Sequence, residues 1–188
     1  MDIFAHGLWT AALSRTMKEK LPRFHQIQIW RATFWGIFPD LFAFFIPFVW
    51  TFAMIILGKL DFSSFRIQHA EPAAQQIPSI FQSTAVLYSM SHSLIVFTII
   101  FGISMIIFCR PVWEMLGWLF HILIDIPTHS YQFYPTPIFW PVSAWKFRYG
   151  ISWATPWFMI VNYSALLLVY GWFFIRYRHR KKSRLHLT

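Results

Sequence analysis

Residues 153–175, WATPWFMIVNYSALLLVYGWFFI, hold no Asp, Glu, Lys or Arg in 23 positions. As a helix rising 1.5 Å per residue, the run spans about 34 Å, enough to cross about 30 Å of hydrocarbon. Its character then reverses, because Arg176, Arg178, Arg180, Lys181, Lys182 and Arg184 follow directly. An apolar run closed by a basic cluster is the positive-inside pattern of a membrane helix ending in the cytoplasm.

The rest of the chain agrees. Of its 188 residues 57% are hydrophobic, 21% aromatic and only 12% charged, half the share that solvates a typical soluble domain. The net charge of +9 would suit nucleic acid, but its position beside apolar runs suits anionic lipid heads, and no specific nucleic-acid partner is expected. The single Cys109 excludes an intramolecular disulfide. The opening Met-Asp lacks the basic n-region of a signal peptide, so residues 3–14 read as retained.

Further segments are expected over Ile3–Leu13, with an amphipathic extension to about Lys20, over Ile27–Ile46, over Thr84–Phe108 and over Val112–Ile126. Pro47 should end the second, leaving Phe48–Leu57 as a separate short helix. The first and fourth are too short for a full crossing. The expected fold is therefore all-α: a polytopic membrane bundle of about five transmembrane or partly spanning helices. It forms one domain over 1–175, followed by a basic tail over 176–188. Twelve of the sixteen Lys and Arg then fall on one side, including Arg15, Lys18, Lys20, Arg23, Arg31 and Arg110. That side is expected to be cytoplasmic in a plasma (inner) membrane, with the N-terminus outside. Lys59, Arg66, Lys146 and Arg148 remain for the outer connections, about 58–83 and 130–152. The second connection is rich in aromatics (Tyr131, Phe133, Tyr134, Phe139, Trp140, Trp145), as residues at headgroup level are.

Against this background His6, Asp40, His92, His121, Asp125 and His129 stand out. Each costs about 3 kcal/mol or more if it faces lipid at mid-membrane. His121 and Asp125 are four apart and share a helix face, as do Asp2 and His6. Asp40 follows Pro39, and His92 sits between Ser91 and Ser93, whose hydroxyls can orient an imidazole. In the expected orientation each lies within about 12 Å of the outer end of its segment. Four segments running in opposing directions thus bring His or Asp to one depth. Such a His/carboxylate set in a dry site suits a divalent metal, zinc first, with manganese or iron as alternatives, and one or two ions. Taken singly, the same residues have plainer readings. A histidine in a span can be a helix–helix hydrogen-bonding residue, Asp40 a helix cap, Asp2 a solvated terminus, and His129 a resident of the wet interface.

Taken together, His6 in an N-terminal helix, Gly36-Ile37-Phe38-Pro39-Asp40, Ser91-His92-Ser93-Leu94 and His121-x-x-x-Asp125-x-x-Thr128 resemble the membrane-bound metal-dependent hydrolase-like proteins of bacteria and archaea. That family is similar to zinc-dependent phospholipase C. The likeness covers about residues 3–130. It departs at Phe42, where the family often has a second acid, and at Leu87 and Tyr88, where it often has a His-Arg-Gly run.

The resemblance implies hydrolysis of a phosphoester, on a lipid or lipid-linked substrate. The metal ligands would be His6, Asp40, His92, His121 and Asp125, with Asp40 or Asp125 in a catalytic role. Thr128 and His129 would be donors near the site, and Lys146 and Arg148 would bind substrate phosphate. Two other classes compete: a small transporter or proton-coupled carrier, since intramembrane Asp and His also build relays, and a non-catalytic membrane scaffold. The sequence does not fix an oligomeric state.

Overall fold

The computed structural model describes residues 1–59, 82–131 and 135–185. Arg66, His69, Phe133, Tyr134 and His186, and most of the first outer connection, lie outside the described residues. Helix makes up 74% of the structure and no strand occurs among the described residues. The helices are α1 (Ile3–Lys20), α2 (Ile29–Ile56), α3 (Gln82–Ser91), α4 (Leu94–Phe108), α5 (Leu116–Thr128) and α6 (Pro156–Leu185). Single 3₁₀ turns, Pro22–Phe24 and Trp113–Met115, precede α2 and α5.

Two helices, α2 and α6, are long and apolar enough to cross a membrane, or three if the bent pair α3–α4 is one span. This is fewer than the five expected. α5 has only 13 residues, about 20 Å of helix, and α1 alternates apolar with polar residues and ends Arg15–Lys20. The spanning helices keep most of their apolar side chains outside: Leu167 and Leu168 on α6 are 75% and 74% exposed. Such a surface needs an apolar neighbour.

Three expected boundaries move. Pro47 does not end the second helix; α2 runs 28 residues with Pro39 and Pro47 inside it. Each proline removes one backbone bond, but in hydrocarbon a stopped helix would leave more groups without partners. Conversely, Thr84–Phe108 is broken, with α3 and α4 meeting at 61°. Ser93 makes the break. Its Oγ accepts from the N–H groups of Ile95 (3.1 Å) and Val96 (3.3 Å) and donates to the Trp140 carbonyl (2.6 Å), while Leu94 N–H donates to the Ile138 carbonyl (2.9 Å). These bonds supply the partners that a continuous helix would have used. Finally, the basic stretch expected as a tail continues α6 as helix to Leu185.

α2 packs against α1, α3 and α5, and α6 lies against α1. The crossings are held close by small residues. A Cβ on Gly36 would collide with the side chain of Thr10 on α1, and one on Gly117 with the Ala32 carbonyl on α2. Without those side chains, the α2 and α5 backbones meet and the Thr10 side chain of α1 packs into the same crossing, as small residues allow in membrane helix packing generally. Gly36 and Gly117 each lie one turn before a candidate site residue, Asp40 and His121 respectively.

Candidate metal centre

The lack of side chains at the glycine crossing brings the backbone of α2 within reach of α5. His121 Nδ1 lies 2.7 Å from the Gly36 carbonyl oxygen. A carbonyl can only accept, so the hydrogen of the neutral ring is on Nδ1 and the lone pair is on Nε2. The same logic holds at the α3–α4 break. His92 Nδ1 is 3.1 Å from the Tyr88 carbonyl, one turn back, and its Nε2 is left as an acceptor. Ser91 adds a hydroxyl 2.9 Å from His92 Nδ1, Tyr88 stacks on the ring at 3.8 Å, and the Trp118 indole N–H donates to the Ser91 carbonyl (2.6 Å). Of the two serines expected to orient His92, Ser91 does so; Ser93 caps α4 instead.

The two Nε2 atoms face each other at 3.0 Å. Asp125 Oδ2 lies 3.3 Å from that of His92 and 3.1 Å from that of His121, and Asp40 Oδ1 lies 3.6 and 3.7 Å from them. Four acceptor atoms from α2, the α3–α4 break and α5 thus converge, all within 4.8 Å of one another. Lone pairs packed this closely repel unless a proton or a metal cation lies among them. A tetrahedral ion with bonds of about 2.0–2.1 Å needs ligand atoms about 3.3 Å apart. The separations above, from 3.0 to 3.7 Å, bracket that value. Asp125 Oδ2 is buried without a hydrogen-bond donor of its own, an arrangement that is costly for a carboxylate oxygen. The Asp40, His92, His121 and Asp125 group could therefore hold a metal ion.

The other expected site residues gather on the far side of Asp125. His6 stacks on His121 at 3.7 Å, and its Nε2 is 2.8 Å from Asp125 Oδ1. His129 Nε2 is 3.4 Å from the same oxygen. So His6 touches the carboxylate through its other oxygen and is not one of the four converging donors. Nor is His129 in a wet interface; it is buried. The Met1 amino nitrogen, to which no spacing in the sequence points, lies 2.5 Å from Asp125 Oδ1 and 3.0 Å from His129 Nε2.

Some expectations do not reach the centre. Thr128 is buried, but its hydroxyl donates back to the Ile124 carbonyl of its own helix (2.9 Å). Asp2 is not a solvated terminus, and its link to His6 is the backbone bond from the His6 N–H to the Asp2 carbonyl (3.1 Å). It caps α1 by accepting from Ala5 N–H (3.0 Å), and it accepts from the Tyr163 hydroxyl (2.8 Å). Arg148 is exposed, its guanidinium 5.7 Å from the Tyr131 ring, and Lys146 is half-buried. Both sit on the connection that lies along the His129 end of α5, where Ile151 and Trp153 N–H groups donate to the Pro127 and Thr128 carbonyls (2.9 and 3.0 Å). Tyr88 and Trp118 support the centre unforeseen, although their positions four residues before His92 and three before His121 put each on its histidine's helical face.

No protein-family model, no curated protein and no solved structure matches this chain.

Proposed function

We propose that the chain is a metal-dependent hydrolase that cleaves a phosphoester of a lipid or lipid-linked substrate at the outer leaflet of a plasma (inner) membrane. The observation that carries this reading is the buried four-atom donor set, with the Nδ1 of each imidazole tied to a backbone carbonyl. Two nitrogens and two carboxylates suit zinc first, with manganese or iron also accommodated. Ligand histidines fixed through their second nitrogen are the usual company of such an ion. A divalent ion held there polarises a phosphoryl oxygen and makes a bound water more acidic.

The chain's own residues divide the remaining work. Asp40 is the general base: its side chain is 10% exposed whereas those of His92, His121 and Asp125 are 0%, so it faces the side from which water arrives. It accepts the proton of the water that attacks phosphorus, while the P–O bond to the leaving alcohol breaks and that oxygen takes up a proton. Oδ1 of Asp125 lies against the Met1 amino nitrogen, His6 and His129, which leaves the other oxygen aimed at the centre. Asp125 thus serves as a ligand, and one ion per chain is assigned to the four-atom set, with Asp40 the ligand that would yield its place to water when it acts as base. Lys146 and Arg148 ride on the connection beside His129 and engage substrate phosphate. Exposed Tyr131, Phe139, Trp145 and Tyr149 on the same connection suit a position at headgroup level. The resemblance to membrane-bound hydrolase-like proteins supplies the reaction class.

The test is turnover by purified protein in mixed micelles of diacyl glycerophospholipid, with products followed by phosphorus NMR. Metal-loaded wild type should release a phosphate ester, and chelation or Asp40→Asn should stop it. A metal-loaded, folded wild type that cleaves neither phosphodiester nor phosphomonoester lipids would sink the assignment.

A further inference from the structure

At the end of the bundle opposite the metal centre, the α1–α2 and α4–α5 connections border a cavity of about 220 Å³. Arg23, Gln26 and Ile27 line it from one connection, and Arg110, Trp113 and Glu114 from the other. Glu114, in the 3₁₀ turn that leads into α5, and Asp125 are eleven residues apart, about 16 Å of helical rise. We propose that this cavity binds the phosphate-bearing headgroup of an anionic membrane lipid, independently of any reaction at the metal centre.

Charge is the first reason. Elsewhere on this end Arg15, Arg176 and Arg180 share Glu19, and Arg31 and Arg178 lie over the rings of Trp30 and Phe174. Arg23 and Arg110 pair with no carboxylate among the described residues. The one carboxylate in the cavity, Glu114, accepts from the Gln28 backbone N–H (3.2 Å), and two arginines against one carboxylate leave the cavity positively charged. Two unpaired guanidinium groups from connections 87 positions apart thus face one concavity, with Gln26 as a neutral donor. Guanidinium forks match phosphate oxygens in pairs.

Position identifies a lipid as the source of that phosphate. Arg110 follows directly on the last turn of α4, where Ile106, Ile107 and Phe108 are 78%, 68% and 59% exposed. Arg23 precedes the spanning helix α2, whose first turn exposes Trp30. Acyl chains covering those apolar residues put their headgroups at the level of the two arginines. The cavity is smaller than the roughly 300 Å³ of sites that enclose whole small molecules, in keeping with a headgroup whose tails stay outside. Basic pockets between membrane helices are suited to this use.

The test is native mass spectrometry of delipidated, detergent-purified full chain titrated with phosphatidylglycerol, with phosphatidylcholine and inorganic phosphate as separate arms. Wild type should retain phosphatidylglycerol over phosphatidylcholine, and Arg23→Gln/Arg110→Gln should weaken that retention roughly tenfold or more. Gln26→Glu, an exposed change that adds a like charge to the ligand's, should also weaken it, which keeps a readout if the double variant folds poorly. Arg178→Gln on the C-terminal part of α6 should leave retention unchanged. Equal retention of both lipids, loss in Arg178→Gln equal to that in the double variant, or displacement by inorganic phosphate as effective as by added phosphatidylglycerol would each overturn the inference.

Discussion

His121 donates through Nδ1 to the carbonyl oxygen of Gly36, 2.7 Å away on the neighbouring helix. That bond exists because Gly36 and Gly117 let the α2 and α5 backbones meet, with the Thr10 side chain of α1 packed against both glycines. Gly36→Ala or Gly117→Ala should therefore destabilise the protein by about 1–3 kcal/mol through overpacking and weaken metal retention by moving His121. Gly102 and Gly171 have open space around a Cβ, and alanine there should be neutral or stabilising by up to about 1 kcal/mol. Thermal unfolding in detergent distinguishes the two pairs; equal effects at all four positions would remove the crossing as the cause.

Ser93 should behave as a structural hinge pin. Ser93→Ala removes the cap of α4 and the donor to the Trp140 carbonyl. Loss of the cap costs about 0.5–2 kcal/mol, and an unmet carbonyl about 1–3 kcal/mol more. Ser93→Thr keeps the hydroxyl and should recover most of this. Since His92 sits at the same break, unfolding temperature and metal retention should fall together in the alanine variant and recover together in the threonine variant.

These positions also show what the sequence discloses. The four-residue spacing of His121 and Asp125, and the cost of placing six ionisable residues in apolar segments, are local signals, and those six residues do meet in space. The break at His92–Ser93 has no Pro or Gly to announce it. It depends on carbonyls of Ile138 and Trp140, more than forty residues away. Pro47 and Pro127 mislead in the opposite sense, since each suggests a helix end in water but is carried within a helix here. The basic run 176–185 reads as a tail, yet Arg176 and Arg180 reach Glu19 on α1, a tertiary contact that local composition does not encode. Likewise, periodicity places His6 near the centre without showing which Asp125 oxygen it meets.

Glu19 gives the pH prediction. Burial raises its pKa, but the Arg15 hydrogen bond and the charges of Arg180, Arg15 and Arg176 outweigh this and hold it below the ordinary value. A depressed acid contributes stability above its unfolded pKa, about 4.3, and loses it as pH falls through the folded value. Glu19→Gln should therefore lower the unfolding temperature near pH 7 and make little difference at about pH 3. The effect should stay within about 1 kcal/mol and shrink in high salt. A difference that grows on acidification would contradict the pairing.

The central claim is that Asp40, His92, His121 and Asp125 hold a metal ion. Elemental analysis of the purified protein, set beside His121→Gln and Asp125→Asn variants shown to be folded, tests it most directly. Wild type should carry about one divalent ion per chain, with zinc foremost, and both variants should lose that ion. Metal-free wild type that still turns over its substrate, or variants that keep the wild-type metal content, would contradict it.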